Sequence, residues 1–149
     1  MLKKVLLVVL VLLAIIGAFA LYGGYTVVDD AIKLKEPQMR QYVQMDEAAQ
    51  NKYIVDNYIE IMDGVDINKD GTPEQKAELE LLKQVNTNPD VKQALIEMGR
   101  SLMATAVLMS DNVTNELSAD DKAKYQQERD QLTTRLENYN KLLEAQGVK

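Results

Sequence analysis

Val91, Leu95, Met98, Leu102, Thr105 and Met109 follow one another at intervals of 4, 3, 4, 3 and 4 residues. That spacing keeps one side of a 3.6-residue helix in register with its neighbours and is the seam of a bundle helix. The stretch 101–109, SLMATAVLM, is apolar nearly all round, so this helix is expected to be buried on several sides. Gly99, Ala104 and Ala106 would let neighbouring helices approach closely. Asn88 followed by Pro89 supplies a cap and a first helical residue, and the pattern predicts a helix over 89–117 on which the others pack.

The rest of the chain is punctuated in the same language. Met45, Ala48, Val55, Ile59 and Met62, widened by Ile54 and Tyr58, predict a helix over 38–63, with Pro37 as the break before it and Gly64 as the stop. Thr72-Pro73-Glu74-Gln75 reads as a capping box with proline at the first position and starts a short helix ending near Asn86. Ser118 and Asp121 open a final helix to about Gln146, with Tyr125, Leu132, Leu136, Tyr139 and Leu143 facing inward and Gly147 as terminator. No segment alternates apolar and polar residues for long enough to argue a strand. The expected fold is all-α: an N-terminal transmembrane or signal helix followed by a small antiparallel bundle of about four helices.

The N-terminal expectation comes from residues 5–28, a run of 24 without a charge, preceded by Lys3 and Lys4 and followed by Asp29 and Asp30. As a helix it covers about 36 Å, enough to cross a ~30 Å hydrocarbon core. The chain therefore divides at 28/29 into a membrane anchor or signal peptide (1–28) and an exported helical domain (29–149). With the basic end retained in the cytoplasm, the C-terminal domain is placed in the periplasm or outside the cell. Ala18-Phe19-Ala20 also fits a cleavage site, which would release the domain by secretion.

Composition removes many chemistries. Seventeen Lys and Arg stand against 23 Asp and Glu, a formal charge of −6, and an acidic chain repels phosphate backbones, so no nucleic-acid partner is expected. Histidine, cysteine and tryptophan are absent. Without His or Cys there is no Ser–His or Cys–His catalysis, no ordinary zinc or haem site and no disulfide. Carboxylates and amides remain, and they suit hard cations such as Ca²⁺. No pair of carboxylates stands out as acid and base: Glu78 and Glu80 flank an apolar stripe, and Asp120 and Asp121 read as helix-start charges.

One stretch carries a coordination pattern. In DINKDGTPEQKAE, Asp66, Asn68 and Asp70 alternate and Gly71 follows at once, between two predicted helices. This resembles the EF-hand calcium loop. The resemblance implies Asp66, Asn68 and Asp70 as the first three ligands, Gly71 as the turn, the carbonyl of Thr72 as the next ligand and Glu74 at the ninth position. The sequence departs from that pattern at the eighth position, where Pro73 stands, and at the twelfth, where Ala77 replaces the bidentate Glu; Glu78 follows one residue later. The competing reading is ordinary turn chemistry, with Asx-turns, a glycine at positive φ and a Thr-Pro helix start. Met39, Met45, Met62, Met98, Met103 and Met109, with Tyr42, Tyr53 and Tyr58, either fill the core or line a groove for an apolar ligand. Asn112-Val113-Thr114 matches an N-glycosylation acceptor.

Together these features point to a non-enzymatic, membrane-anchored or secreted interaction module of the cell envelope or surface, with the membrane and another protein as partners. The alternatives are a Ca²⁺-responsive module built on 66–78 and a ligand-sensing helical bundle. No cofactor other than Ca²⁺ is expected.

Overall fold

A computed structural model describes residues 25–64 and 72–147. Among them are seven α-helices and no strand: α1 Tyr25–Gln44, α2 Glu47–Gly64, α3 Pro73–Lys83, α4 Pro89–Met109, α5 Asp111–Glu116, α6 Ala119–Asp130 and α7 Leu132–Ala145, with a 3-10 turn at Gln84–Thr87. The all-α expectation holds, and the helix that the seam spacing singled out is the centre of the bundle. α4 packs against α1, α2, α5, α6 and α7, and twelve of its residues are buried, from Val91 to Val107.

Three of the expected long helices are divided or joined differently. Pro37 does not interrupt; it lies inside α1 with its ring exposed. A proline in a helix interior costs about 3 kcal/mol because a hydrogen bond is lost and the ring crowds the preceding turn. Ile32, Met39 and Tyr42 on the opposite face are buried, and each such side chain contributes roughly 1.5–3 kcal/mol, so the sum outweighs the proline. The break falls instead at Met45–Asp46, where the Asp46 carboxylate accepts from Ala49 N at 2.8 Å and starts α2.

The helix expected over 89–117 ends at Met109. Ser110 is buried and caps α5: its Oγ accepts from Val113 N at 3.2 Å and donates to Glu36 Oε1 at 3.1 Å. The change of direction turns Val113 into an apolar cluster with Ile32, Met39, Ala106 and Val107. It leaves Met109, the last residue of the expected seam, 48% exposed. The final helix is divided at Gln131 into α6 and α7, and Gly147 closes α7 at a positive φ of 95°.

The N-terminal membrane expectation is corrected. Among the described residues no helix is long and apolar enough to cross a membrane. α1, which takes up the end of the uncharged run, carries Asp29, Asp30, Lys33, Lys35, Glu36 and Arg40 within its twenty residues. Such a helix is amphipathic, and burying those charges in hydrocarbon would be costly. The transmembrane or signal helix, the membrane as partner, and the single-pass or secreted placement are withdrawn on that finding, and so is the membrane-anchored or secreted interaction module. Residues 1–24, which hold most of the run, lie outside the described residues.

The largest apolar cluster gathers Tyr58 and Met62 from α2, Leu79 and Leu82 from α3, Val91, Ala94, Leu95, Met98 and Leu102 from α4, and Tyr139 and Leu143 from α7. A second surface of α4 meets α2 and α6 through Ile54, Met103, Ala104 and Tyr125. α4 is thus sandwiched. At its Gly99 α2 comes close: a Cβ there would stand 2.3 Å from the Cγ2 methyl of Ile54.

Candidate functional site

The EF-hand-like stretch joins α2 to α3. Asp66, Asn68 and Asp70 lie outside the described residues; the two ends of the connection do not. α2 ends at Gly64 and α3 begins at Pro73, so a helix stands on each side of the motif, as its reading requires. A helix C-terminus carries partial negative charge, so the end of α2 favours a cation at the start of the connection.

Thr72 is the N-cap of α3, and the capping box expected from the sequence is closed. Thr72 Oγ1 accepts from Gln75 N at 3.2 Å, and Gln75 Oε1 accepts from Thr72 N at 2.9 Å. The Thr72 carbonyl accepts from Lys76 N at 3.0 Å, the first bond of the helix. The oxygen that the resemblance assigns to an ion is therefore already an acceptor along the helix axis. Glu74 is exposed in the first turn, and Glu78 follows one turn later on α3. Relative to an EF-hand, α3 starts early, because Pro73 fixes the first helical φ and Thr72 caps it. Among the described residues, no group of three or more acidic side chains could by itself hold a metal ion.

Elsewhere polar groups converge at the helix seams. Arg135 Nη1 on α7 donates to Glu97 O and to Ser101 Oγ, both at 3.0 Å, and pairs with Glu128 on α6. Arg100 Nη1 on α4 donates to Asn51 Oδ1 at 2.9 Å, and its Nε stands 3.9 Å from Glu128 Oε1. Two largely buried guanidinium groups, on α4 and α7, thus share one carboxylate on α6, and Asn51 ties the group to α2. The sequence reading passed over them. The available signal was an arginine at position 100, inside the most apolar helix, where a charge must find a partner. At the other end, Glu36 accepts from Ser110 and from Asn112 Nδ2, and Arg40 forks onto Glu116 at 2.9 and 3.1 Å.

The buried polar groups behave the same way. Gln50 donates to Tyr42 O at 3.0 Å and to Tyr125 Oη at 3.4 Å. Tyr58 and Tyr139 share a hydrogen bond of 3.0 Å between their hydroxyls. Burial pushes the Tyr58 phenol up to about 12 and raises those of Tyr139 and Tyr42, since charge is disfavoured away from water. Among the described residues no buried side-chain polar atom lacks a partner. These clusters are committed to holding helices together.

Met39, Met62, Met98 and Met103, with Tyr42 and Tyr58, are core. Asn112 and Thr114 of the glycosylation match are held in the fold, Asn112 by Glu36 and Thr114 by its bond to Val107 O at 2.9 Å. Asp121 serves its expected helix-start role: its N–H donates to Ser118 Oγ at 3.1 Å, and its carboxylate accepts from the same hydroxyl at 2.9 Å.

No protein-family model matches the chain, and neither does any curated protein or solved structure.

Proposed function

We propose that the protein is a divalent-cation-binding helical module, with Ca²⁺ held at the α2–α3 connection, and that it works by binding without catalysis. The observation that supports this is the placement of DINKDG between the end of α2 and the capped start of α3. Alternate oxygens on a curled connection converge on one point, which is what a hard cation requires. Asp66, Asn68 and Asp70 supply the first ligands. Glu74 completes the shell from the first turn of α3, with Glu78 one turn behind it. Thr72 contributes to the helix cap in place of a ligand, and Ala77 stands where the bidentate Glu of an EF-hand would be. Fewer charged ligands mean weaker binding, and a dissociation constant of roughly 1 mM follows. The absence of His and Cys from the chain supports a non-catalytic role.

Thermal unfolding of the full chain, followed by circular dichroism, tests this. Ca²⁺ at about ten times its dissociation constant adds ~1.4 kcal/mol to the native state, a rise of roughly 5 °C. The rise should be absent in EDTA, in NaCl of matched ionic strength and in the Asp66→Ala/Asp70→Ala variant. Superimposed curves with and without Ca²⁺, or a rise that survives in the variant, would remove the proposal.

A further inference from the structure

We infer that Met109 is a modification site: its thioether is converted to the sulfoxide by hydrogen peroxide while the bundle stays folded. The inference stands on the burial of the methionines and does not depend on a bound cation.

The chain carries seven methionines. Met39, Met62, Met98 and Met103 are each 3% exposed or less. They come from α1, α2 and α4 and are spread over all three apolar clusters. Met45, at the break between α1 and α2, is half-buried against one of these clusters. Met109 is 48% exposed. In the spacing that starts at Val91 it holds an inward position, but α4 stops there. Ser110, buried and held by Glu36, turns the chain into α5 and leaves the Met109 side chain in water.

A thioether has no proton to lose, so access decides which methionine reacts. A sulfur lone pair attacks one peroxide oxygen, and the O–O bond breaks as the S–O bond forms. With a proton shift the second oxygen leaves as water; sulfur loses two electrons and the peroxide gains them. The product is polar and carries a strong acceptor oxygen. At Met109 that oxygen is hydrated at the surface. In the core it would be stranded. Among the described residues every buried side-chain polar atom already has a partner, so an oxygen formed at Met98 or Met103 meets no free side-chain donor. Peroxide reaches those sulfurs only when the surrounding helices open. Oxidation of Met109 therefore makes polar one of the two large apolar side chains exposed among the described residues, the other being Leu34, and leaves the clusters as they are. Sulfoxide reductases reverse the change.

Timed exposure of the full chain to hydrogen peroxide, followed by trypsin digestion and mass spectrometry, reads this directly. Met103 and Met109 fall in one tryptic peptide, 101–122, so fragmentation of the same ion compares them. Met109 should oxidise at least ~100-fold faster than Met98 and Met103, which wait for the bundle to open. In urea above the unfolding transition the rates of Met103 and Met109 should converge. The chain carrying the Met109 sulfoxide should keep the urea midpoint of the unmodified chain. Met109→Leu should abolish the fast product of that peptide. Comparable rates at Met103 and Met109 in the folded chain, or a difference that survives in urea, would overturn the inference. So would a lower urea midpoint on oxidation of Met109 alone, or a fast product that persists in Met109→Leu.

Discussion

Replacing Gly99 with alanine tests the central packing of the bundle. In most helices the change is favourable by about 0.8–1.0 kcal/mol, because alanine loses less backbone freedom. Here the new methyl would stand 2.3 Å from Ile54 Cγ2 and 3.4 Å from Ile54 Cβ and Cγ1. Carbon atoms prefer 3.5–4.0 Å, so more than an ångström must be found. Ile54 cannot supply it by turning. It is fully buried, and a β-branched side chain in a helix has one strongly preferred χ1. α2 and α4 must therefore separate along a seam that also carries the Arg100–Asn51 bond. Overpacking of this kind costs about 1–3 kcal/mol, and a contact this short belongs in the upper part of that range. After subtracting the propensity gain, Gly99→Ala should destabilise by about 1–2 kcal/mol, read as a lower urea midpoint at unchanged m-value. Ile54→Ala alone should cost about 2–5 kcal/mol through the cavity it leaves. The double variant Ile54→Ala/Gly99→Ala should be more stable than the sum of the two by at least ~1 kcal/mol, since the new methyl then occupies vacated space. A neutral or stabilising Gly99→Ala, or strict additivity in the cycle, would refute the close approach.

The buried tyrosine pair gives two further expectations. Tyr139→Phe should cost about 1–3 kcal/mol by stranding the Tyr58 hydroxyl, whereas Tyr58→Phe/Tyr139→Phe should be close to wild type, because both partners are removed together; urea titrations of the three variants decide it, and a double variant as unstable as the single would count against the bond. Stability should also fall at high pH: the native state holds the Tyr58 proton up to about 12, the unfolded chain releases it near 10, and unfolding gains from that release as pH rises. The contribution of Tyr58 is fully present below pH 10 and lost between 10 and 12, about 2–3 kcal/mol in all, so tyrosine absorbance should show a late-titrating class that ionises as helicity is lost. Late tyrosines that ionise with the helices intact would contradict it.

Local chemistry made much of this fold legible without coordinates. The Thr72–Gln75 box, the Asn88 and Ser118 caps and the Gly147 terminator all act within a few residues, and each is found where the sequence places it. The seam from Val91 to Leu102 was equally plain, since a 3.6-residue period is written in spacing alone. Of the candidate site, the sequence supplied the motif, the helix on either side and the Thr72–Gln75 box, and the structure added the bond that the Thr72 carbonyl accepts from Lys76 N.

What spacing could not decide is where long helices bend. Continuing through Pro37 depends on Ile32 and Met39 finding partners on α4 and α5 and on Tyr42 finding them on α2, α4 and α6, and stopping at Ser110 depends on Glu36, 74 positions earlier in the chain. The same holds for the Arg100–Glu128–Arg135 cluster, which exists only because three helices bring it together. An uncharged run of 24 residues likewise suggested a membrane helix, although the helix that takes up its end continues into charge and joins the bundle. Period and caps are properties of neighbours along the chain; helix breaks and polar seams are set by partners the chain meets only when folded.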